Sequence, residues 1–355
     1  MIFKKIKVGK IFLDNRIIIG PMCQYSASEG KPSQWHYKHL LSLSKLGSSL
    51  LMIESTAVNK SGRITKKDLE LSKNSHCKAF SKLLKKLKKK KKIKIGIQIS
   101  HSGRKGSSEL PWIKSNKPLE KKKGGWLTFA PSAIRRDKIW PVPKELNINE
   151  IKKIKNDFKK SANLALKSGF DCLEIHMAHG YLLHQFFSQI SNTRADKYGG
   201  NLKRRSRFLL EIAKEIRKIW PKKKILGARI TGSDNLKVGV KIKDAVYLSK
   251  QLKKIGVDYV AVSSGGILPK TNVKFFPGYQ VKLAAKIKKN VKIIVVALGM
   301  INTKILIKKI LKNKLADIVA VSRRFINEPR WLIETNTRPT VIKKTSIPKQ
   351  YLRCF

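Results

Sequence analysis

Two histidines and a tyrosine, His176, His179 and Tyr181, stand close together in the run Glu-Ile-His-Met-Ala-His-Gly-Tyr. An H-x-x-H pair alone is a weak metal signal. A third ligand of suitable type is not evident and H-E-x-x-H is absent, so no metal is expected. Two imidazoles with a nearby phenol suit another task, holding a carbonyl oxygen and delivering a proton. Other clusters come after apolar runs. Pro21-Met22-Cys23-Gln24-Tyr25 closes the first, and Gln98-Ile99-Ser100-His101 leads into Ser102-Gly103-Arg104-Lys105. Taken singly, the first reads equally as a proline-terminated strand with a buried cysteine. Three later runs end in Ser263-Ser264-Gly265-Gly266, Leu298-Gly299-Met300 and Ser322-Arg323-Arg324. Glycine lets backbone N–H groups approach an anion and arginine neutralises it, which is how many barrels bind phosphate after their last strands.

Such groups need elements to position them. Short apolar runs lie at 16–19, 50–54, 93–99, 171–176, 225–230, 258–263, 293–297 and 317–322. Between them Ile151, Ile154, Phe158, Ala162 and Ala165 repeat at helical steps before Gly169, and Leu209, Ile212, Ile216 and Ile219 do so before Pro221. Strands apolar nearly throughout belong to a sheet covered on both faces. The first run leads into Gly20-Pro21-Met22-Cys23 rather than a G-x-G-x-x-G loop. The expectation is therefore an α/β fold, a (β/α)₈ TIM barrel in a single domain over residues 1–355. A long insertion, 103–147, comes after the third strand. Chemistry belongs at the C-terminal strand ends.

Composition narrows the setting. Hydrophobic residues make up 41% of the 355, enough for a substantial core. No apolar run approaches the roughly 18–20 residues that span a bilayer, and the basic start has no small-residue cleavage site behind it. Cys23, Cys77, Cys172 and Cys354 are scattered, which suits a reducing cytoplasm rather than disulfides, zinc or an iron–sulfur cluster. The formal charge is +57, which would draw polyanions at low salt. Its lysines are spread along the chain, and the densest run, 88–92, reads as a surface loop without interleaved aromatics. No specific nucleic-acid or membrane partner is expected.

Taken in order, the segments resemble the Old Yellow Enzyme flavin oxidoreductases, in particular the bacterial NADPH dehydrogenase and xenobiotic-reductase branch. They are Pro-Met-Cys-Gln-Tyr (21–25), Glu-Ser-Thr-Ala-Val (54–58), Gly-Arg-Ile-Thr (62–65) and Gly-Ile-Gln-Ile-Ser-His-Ser-Gly-Arg-Lys (96–105). Further on come Glu-Ile-His-Met-Ala-His-Gly-Tyr-Leu-Leu-His (174–184), Ser-Asn-Thr-Arg-Ala-Asp-Lys-Tyr-Gly-Gly (191–200) and Pro-Gly-Tyr-Gln-Val (277–281). The resemblance implies an FMN enzyme that takes hydride from NADPH or NADH and reduces small electrophilic alkenes conjugated to a carbonyl. Gly20, Pro21, Met22, Cys23 and Ala57 would lie against the flavin, with the Cys23 thiol tuning its reactive edge. Gln98 would bond the pyrimidine portion and Arg229 the N1/O2 end. Gly299, Ser322 and Arg323 would hold the phosphate.

For the substrate, the resemblance implies that His176 and His179 grip the carbonyl oxygen, Tyr25 assists from the opposite side, and Tyr181 supplies the proton. The tail, Gln350-Tyr351-Leu352-Arg353, resembles a segment that sends an arginine into a neighbouring subunit. Arg353 of a tail at 340–355 would then serve a homo-oligomer, a dimer or tetramer. Three departures stand out. Ser322 replaces the glycine usual before the phosphate arginine, Ser100 and Ser102 replace alanines beside His101, and Met177 stands where a small residue is common. The rival readings are an FMN-dependent tRNA-dihydrouridine synthase-like enzyme, which lacks its asparagine–glycine–cysteine motif here, and a polyanion-binding protein on a barrel scaffold.

Overall fold

The computed structural model describes residues 1–90, 93–113, 117–269, 273–329, 331–332 and 349–351. A small antiparallel hairpin, β1 (Ile6–Val8) with β2 (Ile11–Leu13), comes first. The chain then enters β3 (Ile17–Ile19), β4 (Leu50–Ala57) and β5 (Lys94–Ser100). The excursion after β5 carries a two-residue parallel pair, β6 (Phe129–Ala130) and β7 (Lys144–Glu145). Next come β8 (Cys172–Met177), β9 (Ile225–Thr231), β10 (Tyr259–Ser263), β11 (Ile294–Ala297) and β12 (Ile318–Val321). The strands β3, β4, β5, β8, β9, β10, β11 and β12 pair in that order, all parallel, and β12 pairs back with β3. This is the closed (β/α)₈ barrel that the eight apolar runs predict. The long insertion lies after its third strand.

The helices pack outside. They are α1 (Gln34–Ser44), α2 (Asn74–Lys90), α3 (Ile148–Ser168), the short α4 (Leu182–Phe187), α5 (Leu202–Ile219), α6 (Ile242–Ile255), α7 (Val281–Asn290), α8 (Lys304–Lys312) and the short α9 (Arg323–Asn327). α3 shows why the spacing works. Asn147 and Glu150 form a reciprocal capping box at its start. Ile151, Ile154, Phe158, Ala162 and Ala165 are buried along one face, and Gly169 ends it at φ 95.

Two features are not apparent from the sequence. The hairpin buries Ile6, Val8 and Leu13 against Leu50, Cys172, Ile225, Tyr259 and Ile318, so it plugs the N-terminal mouth of the barrel. Three-residue strands are too short to show a period. The lysine run at 88–92 is also not a plain loop, because α2 continues through Lys90. Lysines there face the negative helix end, and Lys88 Nζ pairs with Asp171 Oδ2 at 2.9 Å. Among the described residues no helix is long and apolar enough to cross a membrane.

Candidate active site

A cavity of about 680 Å³ opens at the C-terminal strand ends, where a barrel places its chemistry. Of the residues singled out from sequence, Pro21, Met22, Cys23, Tyr25, Gln98, His176, His179, Tyr181, Arg229, Gly299, Ser322 and Arg323 all line it. Gly20 and Ala57 are not on its wall. Gly20 lies beneath Ser322, and a Cβ there would stand 2.7 Å from Ser322 Oγ. Ala57 is buried against the next loop, exchanging backbone bonds with Leu69 and Leu71 at 2.8 and 2.9 Å. Ser55 lines the cavity from β4 instead, because a bulge between Ile53 and Ser55 shifts the strand's facing. Arg353 lies outside the described residues. Nearby, Gln350 donates to Ser26 Oγ at 3.1 Å, and the Tyr351 hydroxyl lies 2.7 Å from His39 Nδ1.

The two histidines are held by the turn after β8. His179 and Gly180 take φ 59 and 71. A Cβ on Gly180 would come 2.1 Å from the Gly266 carbonyl oxygen, so only glycine lets this turn lie on the Gly265–Gly266 turn. Lys105 bridges the two, donating to His179 O at 2.7 Å, with its ammonium 5.0 Å from the Tyr181 ring centre. Burial, reinforced by Arg136 and Arg104, brings the Lys105 ammonium down to about 7. His184 supports the turn from below: its Nδ1 accepts from Gly180 N–H at 2.8 Å, and its Nε2 lies 3.0 Å from Asp234 Oδ1.

A backbone hydrogen bond fixes the His176 tautomer. His176 Nδ1 accepts from Ala178 N–H at 3.2 Å, so its proton sits on Nε2. His176 Nε2 faces His179 Nδ1 at 3.2 Å, and His179 Nε2 faces Ser263 Oγ. Burial, with Arg229 next, holds both imidazoles well below their usual value, so both are neutral at pH 7. Tyr181 stands edge-on to His176, ring centres 4.9 Å apart. Across the cavity Tyr25, at φ 48, packs its ring against Trp112.

The rest of the wall mixes apolar side chains such as Leu298 and Ile301 with polar groups. Arg229 Nε, Gln280 Oε1 and Asn302 Oδ1 are buried with no hydrogen-bond partner among the described residues. Each such group costs about 1–3 kcal/mol when left unmade, so the wall is built for a ligand carrying both donors and acceptors. FMN, with its pyrimidine edge, ribityl hydroxyls and phosphate, is of that kind. Tyr279, Gln280 and Asn302 were given no role from sequence; the signals were the Pro-Gly-Tyr-Gln-Val segment for the first two and the place of Asn302 just after Leu-Gly-Met.

One buried histidine of this end gives a stability test. Burial brings His101 down to about 3, whereas an unfolded histidine titrates near 6.5. Between those pH values the unfolded chain binds a proton that the folded chain does not, so this residue makes stability fall as pH falls. His101→Asn keeps an acceptor for Gly103 N–H, bonded at 3.1 Å. It is expected to flatten the stability-versus-pH curve by up to about 1.4 kcal/mol per pH unit in that window. Parallel denaturation curves for the two proteins would refute it.

A parallel barrel whose C-terminal mouth holds a cavity with neutral histidines, unmet polar groups, Arg229 and Arg323 fits a class, the flavin-binding oxidoreductase barrels. The model of the NADH:flavin oxidoreductase / NADH oxidase family matches residues 1–338. The chain is 37% identical over 358 residues to the NADPH dehydrogenase of Clostridium acetobutylicum, covering 100% of this chain and 99% of that one. It is 37% identical over 330 residues to the NADPH dehydrogenase of Bacillus subtilis, covering 92% of each. Among solved structures, the old yellow enzyme homologue from Zymomonas mobilis superposes with a TM-score of 0.80 at 23% identity, over 99% of this chain and 98% of that one. The chain belongs to the NADH:flavin oxidoreductase / NADH oxidase family, the Old Yellow Enzyme family of the sequence resemblance. It is an oxidoreductase that works with FMN and a nicotinamide reductant.

Proposed function

We propose that this oxidoreductase reduces the activated carbon–carbon double bond of small α,β-unsaturated carbonyl compounds. The observation that carries the reading is the histidine pair: two neutral imidazoles whose Nε2 and Nδ1 face each other at 3.2 Å beside the Tyr181 ring. Bound in the cavity, FMN would supply the hydride chemistry, from NADPH or NADH to the β-carbon of the alkene. Gln98 and Arg229 would meet its pyrimidine side, Pro21, Met22 and Cys23 its ring, and Gly299, Ser322 and Arg323 its phosphate.

The side chains then do the polarising. A carbonyl oxygen set between the imidazoles receives His176 Nε2–H directly. It receives His179 Nδ1–H in the tautomer that carries its proton on Nδ1, in which the Ser263 hydroxyl donates to His179 Nε2. Neutral donors take up the charge that develops on that oxygen without first losing a proton. Tyr25 closes the opposite side, and Tyr181 gives its hydroxyl proton to the α-carbon. Arg353 would add a cation from a neighbouring subunit of a homo-oligomer.

The test is product analysis under anaerobic conditions. With NADPH or NADH, 2-cyclohexenone should give cyclohexanone in proportion to nicotinamide oxidised. A flavin-loaded enzyme that oxidises the nicotinamide with quinones but leaves the enone untouched would sink the reading.

A further inference from the structure

We propose that Glu174 is a positioning residue that orients the Gln98 amide and offsets part of the Arg229 charge felt by the cofactor. This rests on the reading that FMN occupies the cavity.

Glu174 lies inside the barrel, one inward-facing position before His176. It stands opposite Gln98 on β5 and opposite Gly227 on β9, while His176 stands opposite Arg229. Its side chain is 3% exposed, and it is not on the cavity wall. Both carboxylate oxygens are engaged: Gln98 Nε2 donates to Oε1 at 2.7 Å and the Tyr259 hydroxyl to Oε2 at 2.8 Å. The Tyr259 ring fills the space that Gly227 leaves, since a Cβ on that glycine would come 2.1 Å from the ring. The arrangement is therefore built into two neighbouring strands.

Glu174 acts on the cavity in two ways. With Nε2 of Gln98 committed to Glu174, Gln98 presents its Oε1 upward, an acceptor that selects an N–H group on the ligand. Burial raises the Glu174 carboxyl, and Arg229 is the chief influence opposing it. A carboxylate one layer below Arg229 in a low-dielectric interior cancels part of the guanidinium charge. Less positive potential then reaches the pyrimidine end, where two-electron reduction adds negative charge.

Glu174→Gln removes the charge at constant size. The ratio of reduced to oxidised FMN affinity is expected to rise at least tenfold, which for a two-electron couple is about 30 mV. The ratio is read from the midpoint potential of bound FMN at pH 7 against a reference dye. Tyr259→Phe keeps the carboxylate but removes the hydroxyl dipole that partly offsets its charge, and should shift the ratio the opposite way by a smaller factor. If Glu174→Gln does not fold, Tyr259→Phe decides. Wild-type FMN binding with ratios unchanged within twofold in the folded variants overturns this proposal alone. A wild-type chain that takes up no FMN overturns the functional reading and this proposal with it.

Discussion

Tyr181→Phe is expected to slow reoxidation of the reduced enzyme by 2-cyclohexenone about 10²–10⁴-fold, the usual worth of a positioned general acid. Reduction by NADPH or NADH should stay within a few-fold of wild type, because that half-reaction needs no proton at the α-carbon. The phenyl ring keeps its edge-on contact with His176 and its place under the Lys105 ammonium, both of which use the ring and not the hydroxyl. Stopped-flow absorbance at the flavin band separates the half-reactions. Equal losses in both would show that Tyr181 shapes the pocket and donates no proton to the substrate.

The second large effect is at His176. His176→Ala removes one of the two donors aimed at the carbonyl oxygen, and a single donor of this kind is worth about 10²–10³ in turnover. His176→Asn should recover most of that loss, because an amide N–H also donates and needs no particular charge state. The imidazole is already neutral through burial and Arg229, so the wild-type rate should not fall as the pH rises from 6 to 8 on account of this residue. Turnover with 2-cyclohexenone for the two variants is the measurement. An asparagine variant as poor as the alanine variant would mean that the imidazole acts as more than a hydrogen-bond donor.

The barrel was legible because its strands are apolar nearly throughout and longer helices such as α3 and α5 repeat at three and four residues. The strand-end residues were legible for the same reason: once Met177, Ser263, Ala297 and Val321 end their strands, the next residues must face the mouth. Other features lacked such a signal. β1 and β2 are too short to display alternation, yet they close the bottom of the barrel. Ser55 reaches the wall only because a bulge breaks the period-two reading of β4. Glu174 sat in plain view two residues before His176. Its bonds to Gln98 and Tyr259 depend on strand register, which a single sequence does not display.

Ser322 also looks different in the fold. Its hydroxymethyl group lies over Gly20, which has no side chain to collide with it. The space above Gly20 is thus taken by Ser322 Oγ.

The most direct test of alkene reduction is one anaerobic titration of the purified chain. One equivalent of NADPH or NADH per bound FMN should bleach the flavin band, and one equivalent of 2-cyclohexenone should restore it with one equivalent of cyclohexanone formed. A chain that binds FMN and bleaches, yet stays bleached with excess enone, would contradict the assignment of His176, His179 and Tyr181 to alkene reduction.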